Sequence, residues 1–134
     1  MSLVTAVARV QVLAGQLAGI KQAPTSPPEQ TSMFPFAVSY ARTGTETPQS
    51  DGWSVSLHTL VCELHCQRTV LGLAVAQALP MYEAFAVAVL ADPKLAGTVQ
   101  TVNQLRYTFG QLEYGGVQTI GFRIEIDVKT TPTH

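Results

Sequence analysis

The stretch His58–Cys66, HTLVCELHC, holds both cysteines and two of the three histidines of a 134-residue chain. A zinc ion needs four such ligands at about 2.0–2.3 Å from one point. Wound as a helix, His58, Cys62, His65 and Cys66 would form a stripe at i, i+4, i+7 and i+8. Stretched as a strand at about 3.3 Å per residue, His58 and Cys62 lie about 13 Å apart and His65 faces the other way. The run WSVSLHTLV alternates and is rich in Trp, Val and Thr, which favours the strand. On a strand these residues share no metal. A Cys62–Cys66 disulfide fails for the same reason, because a bridge needs Cα atoms within about 7 Å. Both cysteines are therefore read as small core residues, with no metal ligand assigned.

Hydrolytic chemistry needs a nucleophile, a base and an orienting carboxylate in contact. Asp51, Ser56 and His58 are near one another in sequence, and Ser56 and His58 share a strand face at i, i+2. The surrounding GWSVS, however, lacks the second glycine of a nucleophile elbow. No HExxH, phosphate-cradling glycine loop or dinucleotide fingerprint is present. Glu63 and Glu83 read as lone carboxylates. Phe34, Phe36, Tyr107, Phe109 and Phe122 read as core, because no lysine or arginine cluster surrounds them as a base-stacking platform would require. The expectation is a non-enzyme with no cofactor and no catalytic residue. Two rivals from other classes are a small metal-dependent or Ser/His hydrolase centred on His58, and a binding module with an apolar groove.

The elements that must position these residues follow from composition and periodicity. A chain of this length makes one domain, 1–134. It is 46% hydrophobic but only 13% charged, about half the usual charge content, which favours burial against partners. A formal net charge of −1 with scattered basic residues gives no footprint for nucleic acid or an anionic membrane. The start MSLVTAVARV lacks a signal-peptide pattern, so synthesis in the cytosol is expected. Val70–Ala91 is long enough for a membrane span. Because it carries Gln77, Pro80 and Glu83, it is read instead as a buried, bent helix.

Leu3, Val7, Val10, Ala14 and Leu17 recur at helical spacing, with Ser2 as N-cap and Gly19 as stop. The proline-rich stretch from Gln22 to Thr31 is a surface connector. FPFAVSYAR alternates as a first strand, with Pro35 marking a strand start or a sheet edge. Thr43–Gly52 reads as a mobile polar loop and Trp53–Cys66 as the second strand. Arg68–Ala91 reads as helix in two pieces, Pro80 opening the second and Asp92–Pro93 ending it. Gln100–Tyr114 and Ile120–Lys129 are the last strands, joined through YGGV, whose glycines accept positive φ. Residues 130–134 are expected to be a frayed tail. The fold class predicted is α+β: about four strands, in a mixed or antiparallel sheet covered on one face by the N-terminal helix and the long Pro80-bent helix.

Taken in order, AGIKQAPTSPPEQ, FPFAVSY, CELHCQR before an alanine-rich helix, LADPKLAGTV and LEYGGVQTIGFRIEIDVK span nearly the whole chain. They resemble the tail terminator proteins of long-tailed siphophages. The resemblance implies a small α+β virion protein, assembled in the bacterial cytoplasm, that forms a homohexameric ring on the head-proximal end of the tail tube. Its partners would be itself, the tail tube protein and the head-tail connector or stopper protein. DNA would pass through the lumen without specific binding, and no membrane is involved. A neighbouring connector or neck-completion role is the alternative within this class. Arg42, Glu46, Asp51 and Arg106 are the candidate interface charges.

Overall fold

The computed structural model describes residues 3–20, 34–48, 54–67 and 71–130. Its elements follow in the order α1 (Leu3–Gly15), β1 (Phe36–Pro48), β2 (Ser54–Gln67), α2 (Leu71–Leu90), β3 (Thr101–Tyr114) and β4 (Val117–Thr130). The four strands form one sheet in the order β1-β2-β4-β3, with every neighbour antiparallel. The expected α+β class is present, with both helices on one side of the sheet. The connection through α2 carries the chain past β4's position, so β2 and β3 are not neighbours.

The main core lies between the helices and one sheet face, here called the helix side. α1 buries Ala6, Val10, Leu13, Ala14 and Leu17, and α2 buries Ala78, Met81, Phe85 and Val89. They meet Ala37, Leu60, Cys62, Leu64 and Cys66 from β1 and β2, and Phe122, Ile124, Ile126 and Val128 from β4. The strict alternation in β4 is what lays its apolar residues on this side and Arg123, Glu125 and Asp127 on the other. Arg9 Nε donates to Asp92 Oδ2 at 2.9 Å and ties α1 to the turn after α2.

Three sequence expectations are corrected. β1 does not end at Arg42 but runs to Pro48, so Thr43–Pro48, expected as loop, is strand. Threonines at 43, 45 and 47 supply β-branched alternation, and each residue finds a partner in β2, from Thr43↔Thr59 to Pro48↔Ser54. The remainder of that expected loop, 49–52, lies outside the described residues, as do Trp53, the N-cap Ser2, the connector 22–31 and the tail after Thr130. Next, α2 is one continuous helix through Pro80 and not two pieces. Proline there removes the bond to the carbonyl of Ala76, but Ala76 and Pro80 are both exposed, so water can satisfy that carbonyl. Finally, Thr130, expected in the frayed tail, is the buried last residue of β4, paired with Ser56. In β1, the alternating Phe36, Val38 and Tyr40 face away from the helices. Small Ala37 and Ser39 take the helix side of β1, where Gln11 of α1, itself buried, donates to Ala37 O at 2.9 Å and accepts from Ser39 Oγ at 2.7 Å.

Among the described residues, no helix is long and apolar enough to cross a membrane. The turn joining β3 to β4 places Gly115 and Gly116 at φ 59° and 79°, the left-handed pair that a two-residue hairpin requires. Beyond α2, Leu95, Ala96 and Gly97 all have positive φ, at 45°, 57° and 82°. Leu95 accepts this to bury its side chain completely, and Asp92 Oδ1 braces the turn by accepting from Ala96 N at 2.9 Å.

Two substitutions read this backbone. Ala96 is exposed, so Ala96→Gly removes left-handed strain without loss of packing and should stabilise the chain by about 0.5–1 kcal/mol, a rise of a few degrees in thermal midpoint. A Cβ at Gly121 would overlap the carbonyl of Leu64. Gly121→Ala should cost about 2–4 kcal/mol, measurable by urea unfolding.

Candidate functional site

The outer sheet face, opposite the helices, gathers most of the described polar chemistry of the chain. The register aligns residues in rows across the four strands. One row is Phe36, His65, Gly121 and Gly110; the next is Val38, Glu63, Arg123 and Thr108; a third is Tyr40, Val61, Glu125 and Arg106. Although no helix among the described residues covers this face, Phe36, Val38, Val61, His65 and Thr119 are buried, and Glu63 is only 6% exposed. Part of the cover comes from Tyr114 at the end of β3. Its ring centroid sits 4.8 Å from that of Phe36 and 5.7 Å from that of His65. Tyr114 is on the far edge strand, so the sheet must curl to bring it there. Between Tyr114 and His65 lie the paired glycines Gly110 and Gly121, where side chains are absent on both strands.

Within this small second core, a hydrogen-bonded chain crosses three strands. Tyr40 Oη donates to Glu63 Oε2 at 2.8 Å, and Arg123 Nε donates to the same oxygen at 3.1 Å. Glu63 Oε1 and His65 Nε2 are 2.9 Å apart, and His65 Nδ1 and Thr119 Oγ1 are 2.6 Å apart. A carboxylate can only accept, so Nε2 carries its proton toward Glu63. Burial raises the Glu63 pKa, but the bonds from His65, Tyr40 and Arg123 outweigh it and hold the carboxyl down at about 2. Tyr40 is pushed the other way, up to about 12, first by burial and then by its bond to Glu63.

Hydroxyl, imidazole and carboxylate thus stand in the order found in hydrolytic triads. Thr119 and His65 are nevertheless fully buried, so no substrate atom reaches the hydroxyl in this conformation. The arrangement here joins β1, β2 and β4. Beyond it, Arg42 Nη1 donates to Glu125 Oε1 at 3.0 Å, and Arg106 Nη2 donates to Glu125 Oε2 at 2.8 Å. The other Arg106 nitrogen, Nη1, bonds Asp127, which also accepts from Thr59 Oγ1 at 2.7 Å.

Two of the four candidate interface charges, Arg42 and Arg106, therefore meet on one carboxylate from opposite edges of the sheet. Glu46 stands apart, exposed on β1, and Asp51 lies outside the described residues. Glu63 is no lone carboxylate; it binds three partners. Its pairing with His65 had a sequence signal in their i, i+2 spacing on a strand, whereas Tyr40, Thr119 and Arg123 lie far off in sequence. The opening stretch resolves as strand geometry requires. Cys62 and Cys66 are free, fully buried and on the helix side, while His65 is on the outer side. Burial pushes their thiols up to about 12 and about 11, which keeps them protonated and unreactive. Ser56 and His58 share the helix side without a hydrogen bond between them. Ser56 Oγ is buried with no partner among the described residues, and the His58 ring lies against Gly44, filling the space a Cβ there would need. Phe36 is on the outer side, whereas Tyr107, Phe109 and Phe122 pack together on the helix side, so these aromatics make no single platform.

The depressed Glu63 carboxyl stabilises the fold fully above its ordinary pKa of 4.5, and this contribution is lost as pH falls from 4.5 toward 2. The raised Tyr40 phenol acts oppositely, its contribution being lost as pH rises from 10 toward 12. Glu63→Gln should lower stability at pH 7 by roughly 2 kcal/mol and flatten the acid limb of stability against pH, as read by urea unfolding at each pH. An unchanged acid limb in the variant would place that loss on other carboxylates. No protein-family model matches the chain, and no curated protein matches it with significance.

Proposed function

We propose that the chain is a structural virion protein, a tail terminator. Copies close into a ring on the head-proximal end of a siphophage tail tube, stop its growth and offer the surface to which the head attaches. The observation that carries this reading is the open sheet. Its edge strands β1 and β3 are 13 and 14 residues long, and among the described residues neither has a strand on its outer side. Long free edges are an aggregation hazard unless something pairs with them. With four alternating strands, β1 and β3 run in opposite directions. Copies rotated about an axis along the strands therefore bring β3 of one against β1 of the next in antiparallel register. This is a heterologous contact, the kind that closes rings.

Two further features agree. The exposed sides of the helices are apolar and nearly uncharged, with Val4, Val12, Leu79, Val87 and Leu90 exposed by 39–78%, as interface centres are. On the outer sheet face, Arg42, Arg106 and Arg123 are each bonded to Glu63, Glu125 or Asp127. Turned toward a lumen, such a self-neutralised face lets DNA pass without holding its phosphates. The tube protein would pair with one ring end and the connector with the other.

Purified protein should form rings of about six copies by negative stain and light scattering. A lysine at an exposed position of an edge strand, Gln104→Lys, should leave a folded monomer and abolish the ring. In extracts of a phage lacking this chain, overlong headless tails support a terminator. Tails of normal length that fail to join heads assign the chain to the connector instead.

A further inference from the structure

We infer that the outer half of β1, Arg42–Pro48, is a hinged strap that opens from β2 as a unit while the rest of the sheet stays folded. Burial changes abruptly along this strand. Phe36, Ala37 and Val38 are buried, Ser39 is intermediate, and every residue from Tyr40 to Pro48 is exposed. Gln11 pins the inner half to α1 through Ala37 and Ser39. The register shift between Ala41 and Thr43, with Arg42 as the extra residue, falls at the junction. Bulges loosen the ladder and bend the strand where they occur, so this one serves as the hinge.

Across the outer face the strap is fastened by Arg42 on Glu125, and Tyr40 on Glu63 braces the strand just before the hinge. Both carboxylates keep partners when the strap leaves. Glu63 retains Tyr40, His65 and Arg123, and Glu125 retains Arg106. Opening therefore orphans no buried charge, which is the step that makes breaking such contacts costly elsewhere. On the helix side, the strap presents Gly44 to the His58 ring, a contact with no side chain to extract. Release bares the backbone groups of β2 from Ser54 to Thr59, a template for an incoming strand. Use of that template by a neighbouring copy rests on the ring reading; the strap itself does not.

The test is hydrogen exchange resolved by residue at pH 7, on protein dilute enough to be monomeric, so that absence of rings has no bearing on it. Two-state opening of the strap predicts that Thr43–Thr47 exchange before the β2–β4 ladder in the wild type. In Tyr40→Phe/Arg42→Gln they should exchange roughly 10- to 100-fold faster, with Leu60–Cys66 and Phe122–Val128 unchanged. A cross-strand disulfide in the paired positions, Thr45→Cys/Leu57→Cys, should abolish the difference when oxidised and restore it when reduced. Exchange of Thr43–Thr47 in step with β4, in wild type and variant alike, would show one cooperative unit and overturn the strap.

Discussion

Strand β2 has to bury both of its faces while carrying a glutamate and a histidine on one of them. Everything on the outer side of the sheet depends on how that demand is met. An ionised carboxylate taken from water without partners costs far more than any single packing contact returns. Glu63 escapes this cost by collecting donors from β1, β2 and β4, so its burial stitches together strands that the backbone ladder joins only pairwise. The imidazole of His65 passes the chain on to Thr119, and Tyr114 can then close over an inner surface that is hydrogen-bonded throughout. Gly121 is the tight point of this sheet, since a Cβ there would overlap the carbonyl of Leu64.

The two faces solve different problems with the same alternation. On the helix side, the aliphatic residues of β4 and β2 meet two amphipathic helices, and non-directional burial does the work. On the outer side the residues are larger and more polar, and directional bonds decide where each sits. Loss of a methyl group on the helix side would be felt locally. Loss of one acceptor on the outer side would be felt by every donor that shared it.

Much of the helix side was legible in the amino-acid sequence, because periodicity reports burial directly. The stripe from Leu3 to Leu17, the alternation from Ile120 to Val128, the strand start after Pro35 and the glycine turn before β4 are all local patterns with local causes. The extension of β1 to Pro48 was not legible. A run such as TGTETP has the composition of a loop, and only the ladder offered by β2 makes it a strand. The continuity of α2 through Pro80 depends likewise on which side of the helix meets solvent. The outer-face network was the least legible part. Its node, Glu63, looks solitary in sequence, since apart from His65 its partners are 23 and 60 positions away. Arg42 and Arg106 were singled out as interface charges, and what could not be read was that both would find Glu125. Strand order was open for the same reason: an intervening helix leaves the neighbour of β2 undetermined until the faces are matched.

Gln11 gives the fold a way of checking itself. A polar amide in the middle of a packed helix interface is tolerable only where its nitrogen and oxygen each meet the right group, here the carbonyl of Ala37 and the hydroxyl of Ser39. If β1 slipped by one residue against its neighbour, the amide would face Val38 or Phe36, and two buried polar atoms would go unanswered. The apolar contacts of α1 would tolerate such an error, since oil meets oil in either frame. One side chain on the first helix thus acts as a proofreader of strand alignment, rejecting misfolded sheets that the hydrophobic effect alone would accept.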